Sequence, residues 1–137
     1  MKLESKIGTI HKPEKEIFNF LTDFRNIEKF IPPGKVENWE ATEDSCKFTV
    51  EMAGEITMKI VNKEPYKTIK FNGETTNQPV NFFFWVQLKE VAPGDTKIKL
   101  TLDANLPMMV QMMAKKPLQD GLNSLVERLD DIFQKII

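Results

Sequence analysis

The chain has 137 residues, 41% of them hydrophobic and 28% charged, with a formal net charge of −1. That suits one domain whose core needs no metal or disulfide staple, and it leaves no basic field to hold a nucleic-acid backbone. A single cysteine, Cys46, excludes an internal disulfide and any multi-thiolate metal site, and a single histidine, His11, excludes a histidine triad or a two-histidine metal site within one chain.

Arg25 and Arg128 are the only arginines, which disfavours bidentate recognition of phosphate or carboxylate. The start Met1-Lys2-Leu3-Glu4-Ser5-Lys6 lacks the apolar stretch of a signal peptide, and no apolar run approaches the ~20 residues that span a bilayer. The expected setting is the cytoplasm, without stable membrane insertion.

From Lys2 to His11 the pattern predicts a strand, with Leu3, Ser5, Ile7 and Thr9 on one face and Lys2, Glu4 and Lys6 on the other. Pro13 suits the first position of a helix, where its missing N–H costs nothing, and Glu14 and Glu16 suit the positive end of the helix dipole. Ile17, Phe20, Leu21 and Phe24 repeat as one apolar stripe. Asp23 is placed to cap a second short helix carrying Ile27, Phe30 and Ile31, which Pro32-Pro33-Gly34 stops.

A run of strands follows, beginning with Lys35 to Thr42. Cys46, Phe48, Val50 and Met52 alternate with Lys47, Thr49 and Glu51, the period of a sheet wet on one side. Ala53-Gly54 turns the chain into a partner strand with Ile56, Met58 and Ile60 inward. Ile69 and Phe71 mark the next strand, and Val80, Phe82, Phe84, Val86 and Leu88 a longer one. Pro93-Gly94-Asp95 is a turn, and Ile98, Leu100, Leu102 and Ala104 then alternate with Lys97, Lys99, Thr101 and Asp103.

The stretch Leu106 to Pro117 gathers four of the seven methionines. Methionine fills irregular gaps, and it also lines surfaces that must adapt to a partner. Pro117 predicts a kink or break. A segment hinged there would either cover one end of a cavity with Met109, Met112 and Met113 or plug the gap between helix and sheet. Beyond it, Leu118, Leu122, Leu125, Leu129, Ile132, Phe133 and Ile136 fall at three- and four-residue steps, an amphipathic helix. Gly121 inside that helix costs about 1 kcal/mol relative to alanine, which implies a tight contact or room left for a ligand.

Strands and helices are segregated, so the fold class is α+β. A curved antiparallel sheet of about seven strands wraps around a long C-terminal helix, with two short helices after the first strand. The segment Phe18-Asn19-Phe20-Leu21-Thr22-Asp23-Phe24-Arg25-Asn26-Ile27-Glu28-Lys29-Phe30-Ile31-Pro32 and the ending Lys116-Pro117-Leu118-Gln119-Asp120-Gly121-Leu122 through Ile132-Phe133 resemble the START/Bet v 1-like superfamily of polyketide cyclases and lipid-transport proteins. The resemblance implies a helix-grip fold with a cavity between sheet and helix. It also implies binding of lipids, sterols or other apolar ligands, with some members acting as cyclases and others as chaperone activators. It carries over no catalytic residue.

Phe48, Val50, Met58, Ile60, Phe71, Phe82, Phe84, Val86 and Leu100 from the strands would line such a cavity, with Met109, Met112, Met113, Leu118, Leu122 and Leu125 from the C-terminal segment. These side chains solvate an apolar molecule and offer little to activate a bond. The leading reading is therefore binding of a small apolar or lipid-like ligand, with no cofactor or metal. Ser5, Thr9 and Cys46 would set its orientation.

A cyclase- or dehydratase-type enzyme would use the same cavity, with His11 at its rim or Thr9 as the polar group. His11 equally fits an ordinary surface histidine, and Cys46 a small buried hydrophobe. Glu43-Asp44 reads as a turn and Asp130-Asp131 as a solvated helix face. The scattered glycines have no phosphate-cradling spacing. Phe83 and Trp85, between Asn81 and Gln87 on the supposedly wet face, suggest a contact patch such as a homodimer interface, or a sheet edge covered by a loop.

Overall fold

The structure, a computed structural model, describes residues 1–30, 34, 36–51, 54–76 and 80–136, with Phe30 and Ile136 described by backbone alone. Ile31, the helix stop at Pro32-Pro33, Lys35, Met52 and Ala53 of the turn before Gly54 lie outside the described residues. So do the side chains of Phe30 and Ile136.

Along the chain come β1 (Lys2–Glu4), β2 (Gly8–Ile10), α1 (Glu14–Leu21), α2 (Phe24–Ile27) and a 3-10 turn (Glu28–Phe30). Then follow β3 (Glu37–Ala41), β4 (Ser45–Val50), β5 (Gly54–Glu64), β6 (Thr68–Thr75), β7 (Asn81–Ala92), β8 (Asp95–Ala104) and α3 (Met108–Ile136). The strands form one antiparallel sheet of eight in the order β1-β8-β7-β6-β5-β4-β3, with β2 also on β8. The helix-grip-like α+β arrangement expected from the element order is the one observed.

The predicted first strand is split in two. Between the pairs Glu4–Thr101 and Gly8–Ile98 the N-terminal segment uses four steps where β8 uses three. Ser5 fills the break. Its N–H donates to the Leu100 carbonyl at 2.8 Å, and its Oγ accepts from the Leu100 N–H at 2.9 Å and donates to the Lys6 carbonyl at 2.7 Å. One extra residue reverses every later side chain. Ile7 therefore points into solvent and Ile10 is fully buried, a correction to the face assigned from alternation.

Pro13 forms the N-cap of α1, and Glu14 and Glu16 occupy its first turn. Ile17, Phe18 and Leu21 are buried with Phe24, while Phe20 packs edge-on to Phe133 with ring centres 5.4 Å apart. The Asp23 side chain accepts from the Arg25 N–H at 2.9 Å and so caps α2 as expected. Gly94, at φ +69°, makes the turn between β7 and β8 in a conformation that favours glycine.

Helix α3 lies across β1, β2 and β8 and buries Leu122, Val126, Leu129 and Phe133. It touches the sheet most closely at Gly8, where an added Cβ would meet Val126 Cγ1 at 2.2 Å and the Val126 carbonyl oxygen at 3.2 Å. It runs unbroken through Pro117, so the break expected there does not occur. Pro117 has no N–H to donate to the Met113 carbonyl, and both residues lie on the exposed side, where solvent can reach that carbonyl at little cost. Among the described residues no helix is long and apolar enough to cross a membrane.

Candidate functional site

Alternate side chains of β4 to β8 turn toward the helices, with α3 on one side and α1 and α2 on the other. The three layers leave a pocket of about 240 Å³. Phe48, Met58, Phe71, Phe84, Val86 and Leu100 form its sheet wall. Leu125 and Leu129 of α3 face them, and Leu21, Phe24 and Ile27 close the side under α1 and α2. Val36, Trp39, Cys46 and Ile98 complete the lining.

Of the side chains named from the sequence, Phe48, Met58, Phe71, Phe84, Val86, Leu100 and Leu125 thus meet around one space. Ile60 and Leu118 pack at the margin of the core and Leu122 within it. Val50, half-buried, ends β4. Phe82 lays its ring over Gly73, so that a Cβ on Gly73 would sit 2.2 Å from the ring.

Met109, Met112 and Met113 are nowhere near the pocket. They are 78%, 80% and 79% exposed, with Met108 at 78%. Both expectations for this cluster are overturned: the methionines neither cover a cavity nor fill the gap beneath the helix. The apolar stripe of α3 meets the core from Leu118 onward, and the turns before it leave their methionines exposed. Gly121 is corrected likewise. It is exposed, and an added Cβ would meet nothing within 4 Å, so neither tight packing nor ligand space accounts for it.

Reading the sequence missed Leu21, Phe24, Ile27, Val36, Trp39, Ile98 and Leu129 as pocket residues. The signal for the first three was the apolar positions of the two short helices after Pro13, which have to face something. Trp39, the one large apolar side chain among Glu37, Asn38 and Glu40, was the other clue. Its ring stacks on Phe48 with centres 5.4 Å apart, and its Nε1 is buried without a hydrogen-bond partner.

Cys46 is the one ionisable residue of the lining. Burial pushes its thiol up to about 12, so near neutral pH it stays protonated and unreactive. The other polar candidates are engaged elsewhere. Ser5 holds the bulge, and Thr9 Oγ1 accepts from Lys97 Nζ at 2.8 Å.

His11 is bound to α3, not to the pocket. Its backbone N–H donates to Asp130 Oδ1 at 2.8 Å and its Nδ1 lies 2.7 Å from Oδ2. Asp130 is therefore half-buried and partnered rather than solvated. Burial pushes its carboxyl up, but the hydrogen bonds from His11 and Gln134 outweigh that and hold it below the usual carboxylate range. Asp131 stays exposed.

A larger depression of about 490 Å³ opens across β3 to β6, among Glu40, Lys47, Lys59 and Glu74. Its charges of both signs keep it hydrated, so the smaller apolar pocket is the candidate site. On β7, Phe83 and Trp85 are half-buried on the face opposite the pocket. β7 is no sheet edge, since it lies between β6 and β8, and Lys70 of β6 rather than a loop covers the two rings, with its Nζ 4.5 Å and 5.4 Å from their centres.

Fold and pocket together define a helix-grip protein with an apolar interior site. Residues 8–137 match the CoxG family, named for a subunit of carbon monoxide dehydrogenase, and the chain belongs to that family. Among curated proteins none matches it. Solved structures share the fold at low identity. A conserved protein from Geobacillus kaustophilus is 19% identical with a TM-score of 0.69, over 99% of this chain and 92% of that one. A protein from Rhizobium loti is 13% identical with a TM-score of 0.70, over 96% and 99%. An HSP90 activator from Plasmodium falciparum is 22% identical with a TM-score of 0.55, over 78% and 74%.

Proposed function

We propose that this CoxG-family chain is a START/Bet v 1-like binding protein that takes a small apolar or lipid-like molecule into the pocket between sheet and α3. The observation that carries the reading is the lining, apolar side chains around a single neutral thiol. Mechanism here is burial. At interior packing density about 240 Å³ holds roughly ten non-hydrogen atoms. Burying roughly 200–300 Å² of apolar surface at ~25 cal/mol per Å² gives about 5–8 kcal/mol before association costs, so binding no tighter than micromolar is expected. We place this activity in the cytoplasm, where Cys46 remains a reduced thiol.

Native mass spectrometry of gently purified protein, with displacement of a fluorescent naphthalene probe by decanol or decanoic acid, tests the reading. Bound or exchangeable apolar mass is expected. Leu125→Trp, which fills the pocket, should abolish uptake while the protein keeps its circular dichroism. Consistent absence of bound mass and of uptake by the wild-type chain would sink the reading.

A further inference from the structure

A bulge and a ring stack fix Trp39 at the pocket. Between the pairs Glu37–Thr49 and Glu40–Lys47, β3 takes three steps where β4 takes two. Asn38 absorbs the extra residue at φ +57°, a left-handed conformation that asparagine tolerates better than most residues with a side chain. Glu37, Asn38 and Glu40 stay exposed, while Trp39 among them borders the pocket. Its ring is stacked on Phe48, a neighbour in the same wall, with centres 5.4 Å apart.

For apolar contact alone phenylalanine would serve better, because the Trp39 indole N–H is buried with nothing to accept it. A buried donor left unpaired costs more than an ordinary hydrogen bond is worth, so such an atom in a native fold needs a reason. Among the described residues one other buried side-chain polar atom lacks a hydrogen-bond partner, Asp95 Oδ1, and Lys97 Nζ lies 3.4 Å from it. Trp39 Nε1 has no such neighbour. The reason lies in the composition of the pocket wall. Its side chains carry one strong donor, the Trp39 N–H, and no acceptor stronger than the sulfurs of Cys46 and Met58.

We infer that Trp39 selects the ligand by donating its indole N–H to an oxygen of the bound molecule. That oxygen belongs to a neutral ketone, ester or ether. A hydrocarbon leaves the N–H unpaired. An alcohol brings a hydrogen of its own, for which the wall has no good acceptor, and a carboxylate brings a charge that no side chain of the lining balances. This selectivity rests on the pocket being the binding site proposed above, and it adds which apolar molecules that site prefers.

Methyl heptyl ketone and decane have the same number of non-hydrogen atoms and suit the size of the pocket, so displacement of the naphthalene probe by each isolates the oxygen. Trp39→Phe keeps a ring on Phe48 and removes the N–H. It should weaken ketone binding about three- to tenfold and leave decane binding unchanged. In the wild type, the carbonyl stretch of the bound, isotope-labelled ketone should lie below its frequency in an alkane solvent. In the variant it should return to that frequency, a change that a merely structural role would not produce. The wild-type spectrum decides the point even if the variant unfolds. A bound ketone with an unshifted stretch, or equal loss of ketone and decane binding in a folded variant, would overturn the role of Trp39 and leave the pocket as a binding site. Failure of the wild type to bind either compound would overturn both.

Discussion

Glu14 illustrates how much one side chain organises. Its carboxylate takes Lys67 Nζ at 2.9 and 3.0 Å and the Glu90 N–H at 2.9 Å, while its own N–H donates to Glu90 Oε1 at 2.8 Å. The Lys67 hydrogen bond foremost, then the Glu90 N–H, hold its pKa below 4.5. A depressed carboxylate contributes stability that is complete above that value and is lost as pH falls through the lower folded pKa. Glu14→Gln should cost about 1 kcal/mol at pH 7, a low figure because Lys67 is half-exposed, and close to nothing at pH 2; urea unfolding at the two pH values checks both. Cys46 should resist a disulfide-exchange reagent in the native protein at pH 8 and react at once on unfolding, as its raised pKa and burial require. Residues with local roles were legible in the sequence: Asp23 caps a helix through the N–H two residues on, and Glu14 and Glu16 sit where a helix dipole wants them. The partners His11–Asp130 and Glu14–Glu90 were not, because they are 119 and 76 residues apart.

Among the elements, α3 carries two weak points that buy nothing in packing. Gly121→Ala meets open space and should stabilise the protein by about 0.5–1 kcal/mol. Pro117→Ala restores one helical hydrogen bond and should add about 1–3 kcal/mol. Gly8→Ala should do the opposite, costing about 1–3 kcal/mol, because its Cβ would strike both a side chain and the backbone of Val126. Thermal melts of the three single variants would test these signs. Period-two alternation located β4 to β8 and three-to-four spacing located α3, since each signal is a property of the element alone. The bulge at Ser5 escaped because register is fixed jointly with β8. The methionines escaped because spacing along a chain outlines a helix but not which of its turns the rest of the fold covers.

For the whole molecule, the inward-facing strand residues were readable, but the pocket they enclose was not. Which of them border empty space depends on where α1, α2 and α3 stop short of one another. Val50 and Leu100 look alike in sequence, and only Leu100 reaches the opening. One further consequence lies in the sheet order. Lys2 pairs with Asp103 and Leu3 with Leu102, so the first strand has no partner until nearly the whole sheet has been synthesised. At about 5–20 residues per second, β1 and β2 wait several seconds on the ribosome. During that wait the newest strand at each moment shows an unsatisfied backbone edge, β7 last and only until β8 follows it, and the stripe of α3 does not yet exist to cover the concave face. Nascent chains of this protein are therefore exposed to edge-to-edge aggregation until β8 emerges, and the folding step that ends the exposure closes the N-terminal strands onto it.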